Sequence, residues 1–366
     1  MYLKKQVDKR LKDIVFIELN KNVELNEIEL KKEINLPVRL DGLIEGIKDK
    51  SIDEKIDLSR INEGIIYLLG IEKDFRFKNE YLKIINFAVK DIKALILYLS
   101  SQAANLDDNI ASFIYLNSYD NFIEYDLDLE FAKANIKEAI YNKEYKNLSE
   151  EEQKEFLEDI ANDYEDILNH SEEYILAYYR LGYIYRNLNY YLKSKLYFEK
   201  FLNNSEDEYE ELKDEIREDL KELDDYANLE ASESYIAYGK LDKAYESLNN
   251  VSDLYPEKEK LHYYKALTTF GLGLLEESLE HINQSLNYND EVEEYYNLKA
   301  QIYLNLEDLE KTKETYKVGI DKLPESYLLN YNFGIFLYNI KDQVFKPYLE
   351  KAYELNPNDQ IKSLLI

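Results

Sequence analysis

Between Asp225 and Ile366 one pattern returns every 34 residues. Ala266, Ala300 and Gly334 are evenly spaced by that interval, and so are Tyr235, Thr269, Tyr303 and Leu337. Pro256 and Pro324 lie two intervals apart, and Gly239 and Gly273 lie one. A fixed period of this length means one structural unit, stacked on copies of itself. Small residues at Gly182, Ser232, Ala266, Ala300 and Gly334 predict the middle of a first helix, where a second helix approaches closely. Tyr185, Tyr235 and Tyr303, three residues on, share that face and fill the wider gap beside it. The prolines end each second helix and open the next unit. A single hairpin of this kind cannot bury its apolar face, so the stack has to supply the core.

The unit Glu293–Ser326 reads Tyr296, Lys299-Ala300, Tyr303, Tyr316, Pro324. An aromatic, a residue pair ending in a small side chain, an aromatic, another aromatic and a closing proline resemble the tetratricopeptide (TPR) repeat. Ile175–Glu208 carries Tyr178, Leu181-Gly182, Tyr185, Ser194 and Phe198 but lacks the proline. Asp225–Lys258 matches best in its second half, at Tyr235, Gly239, Ala244, Leu248 and Pro256. The resemblance implies an all-α, right-handed solenoid of helical hairpins over residues 126–366. Its repeats fall near 127–172, 175–208, 225–258, 259–292, 293–326 and 327–358, followed by a capping helix at Asn358–Ile366. An all-helical N-terminal region, 1–125, precedes them.

In proteins of this family the first helices line a concave groove. Carried onto this chain, the groove positions are Tyr179, Tyr183 and Arg186, then Tyr263, Leu267 and Phe270. Next come Asn297, Gln301 and Asn305, and last Tyr331, Ile335 and Tyr338. Such a surface suits an extended or helical peptide, with rings supplying area and amides bonding the backbone. With 36 Tyr in the chain, packing between adjacent helices is the alternative use for the same rings. Relatives that grip a peptide C-terminus use Lys, Asn and Arg at set groove positions. Here Tyr179, Tyr263 and Tyr331 stand where one such Lys belongs, which argues against carboxylate capture.

Charge narrows the partners. The net charge is −29, and it is unevenly spread: the first 100 residues carry 19 Lys+Arg against 18 Asp+Glu, the other 266 carry 27 against 57. A broad phosphate-binding surface needs clustered cations, so nucleic acid is not expected as a partner. Insertion into a membrane is not expected either, since the apolar runs Gly64–Ile71 and Ala94–Leu99 are far too short to span one. A protein or peptide, neutral or basic, fits. With no cysteine there is no disulfide frame, and the N-terminus lacks a signal-peptide core, so a cytoplasmic protein is expected.

No constellation for catalysis stands out, and no cofactor is called for. His170, His262 and His281 have no partner at metal-ligand spacing, so no metal site is expected. His262 takes an aromatic position of its repeat, which predicts packing. Gly271 and Gly273 belong to a turn rather than a phosphate loop. The expected function is a non-catalytic scaffold that binds a protein or peptide segment. The alternative is a peptide-sensing regulator whose N-terminal region is the effector.

Local patterns complete the expectations. Lys4–Leu19 reads as an amphipathic helix through Val7, Leu11, Ile14, Val15 and Leu19. Asn35–Pro37 breaks a second helix, and Val38–Ile47 reads as a third. A helix through Ile61, Ile65, Ile66 and Leu69 stops at Gly70, and another runs from Tyr81 towards Leu99, as a degenerate repeat hairpin with Gly64 at its small position. One more helix covers Asp107–Leu116. Leu127–His170 reads as a longer hairpin, with a capping box at Ser149 and Glu152. Glu206–Asp225 holds 12 acids, yet Leu212, Ile216, Leu220, Leu223 and Tyr226 keep a helical stripe through it. This predicts one elongated helix over Tyr209–Tyr238, roughly 45 Å long.

Overall fold

The computed structural model describes residues 2–25, 28–41 and 58–365. It comprises two compact units, residues 1–213 and 214–366.

The first unit opens with helix α1 (Tyr2–Asp8), a 3-10 turn (Lys9–Asp13) and four short strands: β1 (Ile14–Ile17), β2 (Val23–Leu25), β3 (Ile28–Leu30) and β4 (Leu36–Arg39). β1 pairs antiparallel with β4, Ile14 facing Arg39 and Ile17 facing Leu36, and β2 pairs with β3. The N-terminal region is therefore not all-helical. The expected helix over Lys4–Leu19 ends at Asp8, because Ile14-Val15-Phe16-Ile17 is a β-branched and aromatic run with a partner strand to satisfy its backbone. The expected helix before Asn35 is replaced by β2 and β3. Of the one over Val38–Ile47, Val38 and Arg39 lie in β4, while 42–47 fall outside the described residues.

Helices α2 (Leu58–Ile71) and α3 (Lys78–Ala88) follow. Ile61, Ile65, Ile66, Tyr67, Leu68 and Leu69 are all buried, so α2 is enclosed on every side. Gly64 does not sit under a second helix as expected. A methyl group there would overlap the Pro37 carbonyl oxygen, so the glycine admits β4. The stop expected at Gly70 falls one residue before the end of the helix at Ile71. Gly70 itself lies inside α2, and a methyl group would overlap the Ile114 carbonyl oxygen. The helix expected to run from Tyr81 to Leu99 is two helices, α3 and α4 (Ile92–Asn105), because the Asp91 side chain caps a new start by accepting from the Ala94 N–H at 2.9 Å.

Three hairpins complete this unit: α4 with α5 (Asn109–Asn117), α6 (Leu127–Glu144) with α7 (Glu150–His170), and α8 (Ile175–Asn187) with α9 (Tyr191–Asn204). The capping box at Ser149 and Glu152 opens α7 as expected. In α8–α9, Gly182 lies against the Phe198 ring, and the Ser194 hydroxyl donates to the Gly182 carbonyl at 2.8 Å.

Helix α10 (Glu210–Ala237) is a single element of 28 residues, as its stripe predicts, with Ile216 and Leu223 buried. The second unit continues with α11 (Leu241–Asn249), α12 (Lys258–Gly271), α13 (Leu275–Tyr288), α14 (Glu293–Asn305), α15 (Leu309–Lys322), α16 (Tyr327–Asn339), α17 (Lys346–Leu355) and α18 (Asp359–Leu365). Ala266 and Ala300 are fully buried. The Ser278 hydroxyl donates to the Ala266 carbonyl at 2.7 Å, repeating the bond of α8–α9. At Gly334 the δ-carbon of Leu349 lies 2.6 Å from where a methyl group would be. Helix α18 closes the end, with Ile361 buried against Leu349 and Ala352, and Leu364 and Leu365 beside it.

The turns repeat as well. Among the described residues, positive φ occurs at Asp107, Asn189, Gly239, Gly273, Glu307 and Lys341. The last four are spaced by 34, so the left-handed turn persists where glycine has been replaced. A side chain in that conformation costs about 1–2 kcal/mol, of which a glycine returns part to unfolded-chain entropy. Glu307→Gly and Lys341→Gly are each expected to raise stability by about 0.5–1 kcal/mol, read as a higher urea midpoint at unchanged m. The reverse change, Gly273→Ala, meets no neighbour within 4 Å, so its loss is expected to be conformational alone.

Candidate functional site: the first-helix faces

The sequence-derived groove residues all lie on first helices, but the structure gives them unlike surroundings. On α8, Tyr179 and Tyr183 are half-buried and lean on their own hairpin. The Tyr183 ring is 4.9 Å from Phe198, and that of Tyr179 is 5.5 Å from Phe201. Arg186 is half-buried in the last turn.

In the second unit, Tyr263, Leu267 and Phe270 of α12 pack against the cluster formed by Ala266, Ile282, Tyr295, Leu298 and Ile302. Tyr263 reaches across to Tyr295 of α14 at 5.0 Å. These three side chains therefore bind adjacent repeats together. Asn297 of α14 is also engaged, its Oδ1 accepting from Asn332 Nδ2 of α16 at 2.7 Å and from the Tyr316 hydroxyl at 3.3 Å. Tyr331 and Ile335 of α16 pack on Leu349, Ala352 and Ile361. The more accessible groups are Asn305, which is exposed, half-buried Gln301, and Tyr338, which is 43% exposed with its ring against Phe345 at 5.2 Å.

Two polar clusters were not legible in the sequence. Glu165 of α7 accepts from the Tyr185 hydroxyl at 2.6 Å, the Tyr197 hydroxyl at 2.9 Å and Lys193 Nζ at 3.3 Å. Burial works to raise the Glu165 carboxyl, but those donors outweigh it and hold it below its ordinary range. The cluster spans three helices, Glu165 on α7, Tyr185 on α8 and Lys193 and Tyr197 on α9, so no local spacing announces it.

The second cluster is a histidine pair. His262 and His281, without partners by sequence spacing, belong to one hairpin, and their Nδ1 atoms are 3.2 Å apart. One Nδ1–H donates to the other ring. Tyr288 stacks on His262, and Glu277 lies 3.8 Å from His281 Nε2. Among the described residues no three His, Asp or Glu side chains are grouped to hold a metal ion.

Both imidazoles are held below the usual 6.5, first by desolvation. For His262 the second cause is His281 itself, followed by Lys265 and Lys258. For His281 it is Lys265, against which Glu277 and Glu280 work in part. A base whose folded pKa is lowered binds fewer protons when folded, so stability rises with pH through that window. The second unit should be most stable above about pH 7 and lose stability as pH falls through 6.5 and below. His281→Asn is expected to flatten that slope between pH 7.5 and 5.5 in urea titrations, above the range where ordinary carboxylates titrate.

Residues 175–208 and 293–319 match the family model of the tetratricopeptide repeat. Those two segments carry the tetratricopeptide repeat. No curated protein matches the chain. Several solved TPR structures resemble parts of it at low identity. YrrB, described as a TPR protein with an unusual peptide-binding site, is 14% identical over 56% of this chain and 97% of its own, with a TM-score of 0.38. PilW, a type IV pilus biogenesis factor, is 13% identical over 64% and 98%, with a TM-score of 0.40. A tetratricopeptide repeat protein from Parabacteroides merdae is 13% identical over 75% and 97%, with a TM-score of 0.33. Among the described residues, no helix is long and apolar enough to cross a membrane.

Proposed function

We infer that this TPR chain is a protein-interaction scaffold, and that the first-helix face of its second unit receives an extended or helical segment of a partner. One observation carries the reading. On α12, α14 and α16 the small residues at Ala266, Ala300 and Gly334 are buried, whereas the three positions around each remain only partly covered. Repeated over three helices, this leaves a strip on which the anchored rings of α12 and α16 flank the more accessible amides, Gln301 and Asn305, of α14. Rings already fixed by packing lose little entropy when a partner settles on them, and amides on the strip bond its backbone. The acidic surface favours a neutral or basic segment.

The test uses the full chain as bait in a lysate of the source cells, with partners identified by mass spectrometry. Gln301→Ala, Asn305→Ala and Tyr338→Ala together strip the more accessible groups and leave the half-buried rings Tyr263, Phe270 and Tyr331 in place. A partner held by this face should be lost or weakened about tenfold or more. Retention of every partner by the triple variant would remove this assignment.

A further inference from the structure

The first unit contains a cleft of about 670 Å³ bounded by α1, the C-terminal ends of α2 and α5, and the first half of α7. That volume lies within the range of ligand-binding clefts. Its floor is apolar: Val7, Phe113 and Phe156 are buried there, with Leu3 and Ile71 half-buried at its sides.

The rim has the opposite character. Asp8, Glu72, Asp74 and Glu155 are exposed on it, and among the described residues no hydrogen bond or ion pair engages their carboxylates. Two of the lysines on the wall are already committed. Lys137 is held by Asp159 at 2.8 Å and Asp163 at 2.6 Å, and Lys73 pairs with Asp120. Among the described residues that line the cleft, Lys4 is the one lysine left to offset the four carboxylates. Helices α2 and α5 both end at this wall, at Ile71 and Asn117, and their C-terminal dipoles add negative potential.

We propose that this cleft is a second binding site, independent of the first-helix face, for a short peptide segment in which Arg or Lys alternates with a large apolar side chain. The apolar side chains remove the floor from water. The cations meet rim carboxylates that no described residue engages, and a guanidinium matches a carboxylate in bidentate fashion. An anionic or wholly apolar ligand would leave four like charges crowded around it, so the charge pattern selects this occupant.

The probe is a short fluorescein-labelled peptide of alternating Arg and Leu, titrated with the full chain at physiological ionic strength and read by anisotropy. Saturable binding is expected. Replacing Glu72, Asp74 and Glu155 by Lys together should weaken it about tenfold or more. Replacing Glu276, Glu310 and Glu350 by Lys changes the net charge equally at exposed positions elsewhere, and should leave affinity within about twofold. A peptide with Ser in place of Leu should bind about tenfold more weakly.

The proposal is overturned by an absence of saturable binding, by equal weakening from the two sets of charge reversals, or by full affinity for the Ser peptide. It is also overturned if the Gln301, Asn305 and Tyr338 triple variant loses the peptide, which would place it on the first-helix face. Circular dichroism checks folding, and should the triple reversal fail to fold, Glu155→Lys alone decides between the same outcomes.

Discussion

Gly70→Ala is expected to destabilise the first unit by about 2–3 kcal/mol, although alanine is the better helix former by about 1 kcal/mol. Gly70 lies within α2, and nothing in its own backbone requires glycine. The requirement comes from α5, whose Ile114 carbonyl oxygen occupies the space a methyl group would take. A flexible side chain at such a contact can rotate away. A carbonyl held in a helix can move only with its helix, and Ile114 is itself fully buried. Asn117 fixes the crossing further, because its Nδ2 donates to the Gly70 carbonyl at 2.7 Å. Calorimetry should find the transition of the first unit lowered by roughly 5–10 °C, at about 2–4 °C per kcal/mol for a unit of this size. Gly64→Ala, against the Pro37 carbonyl, should behave alike. Gly271→Ala is the contrast: it meets only the δ-methyl of Leu241 at the exposed end of α12, and should change stability by less than about 0.5 kcal/mol. Similar losses at Gly70 and Gly271 would mean that backbone approach is not what these glycines serve.

The repeat was legible where identity is forced by contact. Ala266, Ala300 and Gly334 had to be small because a second helix crosses them, and that pressure acts on single positions at a fixed interval. The same register also runs where its letters have changed. In α4–α5, Ser100, the left-handed Asp107 and Ser112 are spaced as Ala266, Gly273 and Ser278 are in α12–α13, and the Ser100 and Ser112 hydroxyls lie 2.8 Å apart in the buried crossing. Nothing local marked Asp107 as a turn of this kind, because aspartate is common everywhere in the chain. The strands at the N-terminus were missed for another reason. Apolar residues at Val7, Leu11, Ile14 and Val15 satisfy a helical period up to the point where β4 offers Ile14–Ile17 a ladder, and that partner strand, Leu36–Arg39, is remote in the sequence.

The candidate site was legible in position but not in role. Counting along each first helix placed Tyr263, Leu267 and Phe270 on α12 and Tyr331, Ile335 and Tyr338 on α16. It did not show that Tyr263 would bridge to Tyr295 or that Tyr331 would be covered from the side of α18, since both depend on the neighbouring repeat. The His262–His281 contact escaped for the same reason: it joins residues 19 apart on two helices of one hairpin, and spacing along either helix carries no trace of it.

The other large effect is expected at Lys137. This residue of α6 is 7% exposed and ends between two carboxylates of α7, Asp159 and Asp163. Asp163 is the more enclosed of the two. Desolvation pushes its carboxyl above the ordinary range, and the Lys137 ammonium, helped by Lys133, holds that rise in check. Lys137→Met preserves most of the side-chain volume and removes the charge, so the loss should be electrostatic rather than steric. Breaking a buried pair from one side costs about 3–5 kcal/mol, and because Asp159 is half-exposed the lower figure, about 3 kcal/mol at pH 7, is expected. The pH dependence gives the test its sign. Without Lys137 the folded-state pKa of Asp163 rises further, and a carboxyl with a raised folded pKa loses stability as pH increases through that value. The deficit of Lys137→Met should therefore shrink on acidification from pH 7 to 5. Added salt should alter it little, since screening barely reaches an enclosed pair. Adding Asp163→Asn should restore most of the loss at pH 7, because the stranded charge is then gone, and the double-mutant cycle should return a coupling well above the ~1 kcal/mol of surface ion pairs. A loss below about 1 kcal/mol, or one independent of pH, would show that water reaches this pair and that it contributes little to holding α6 against α7.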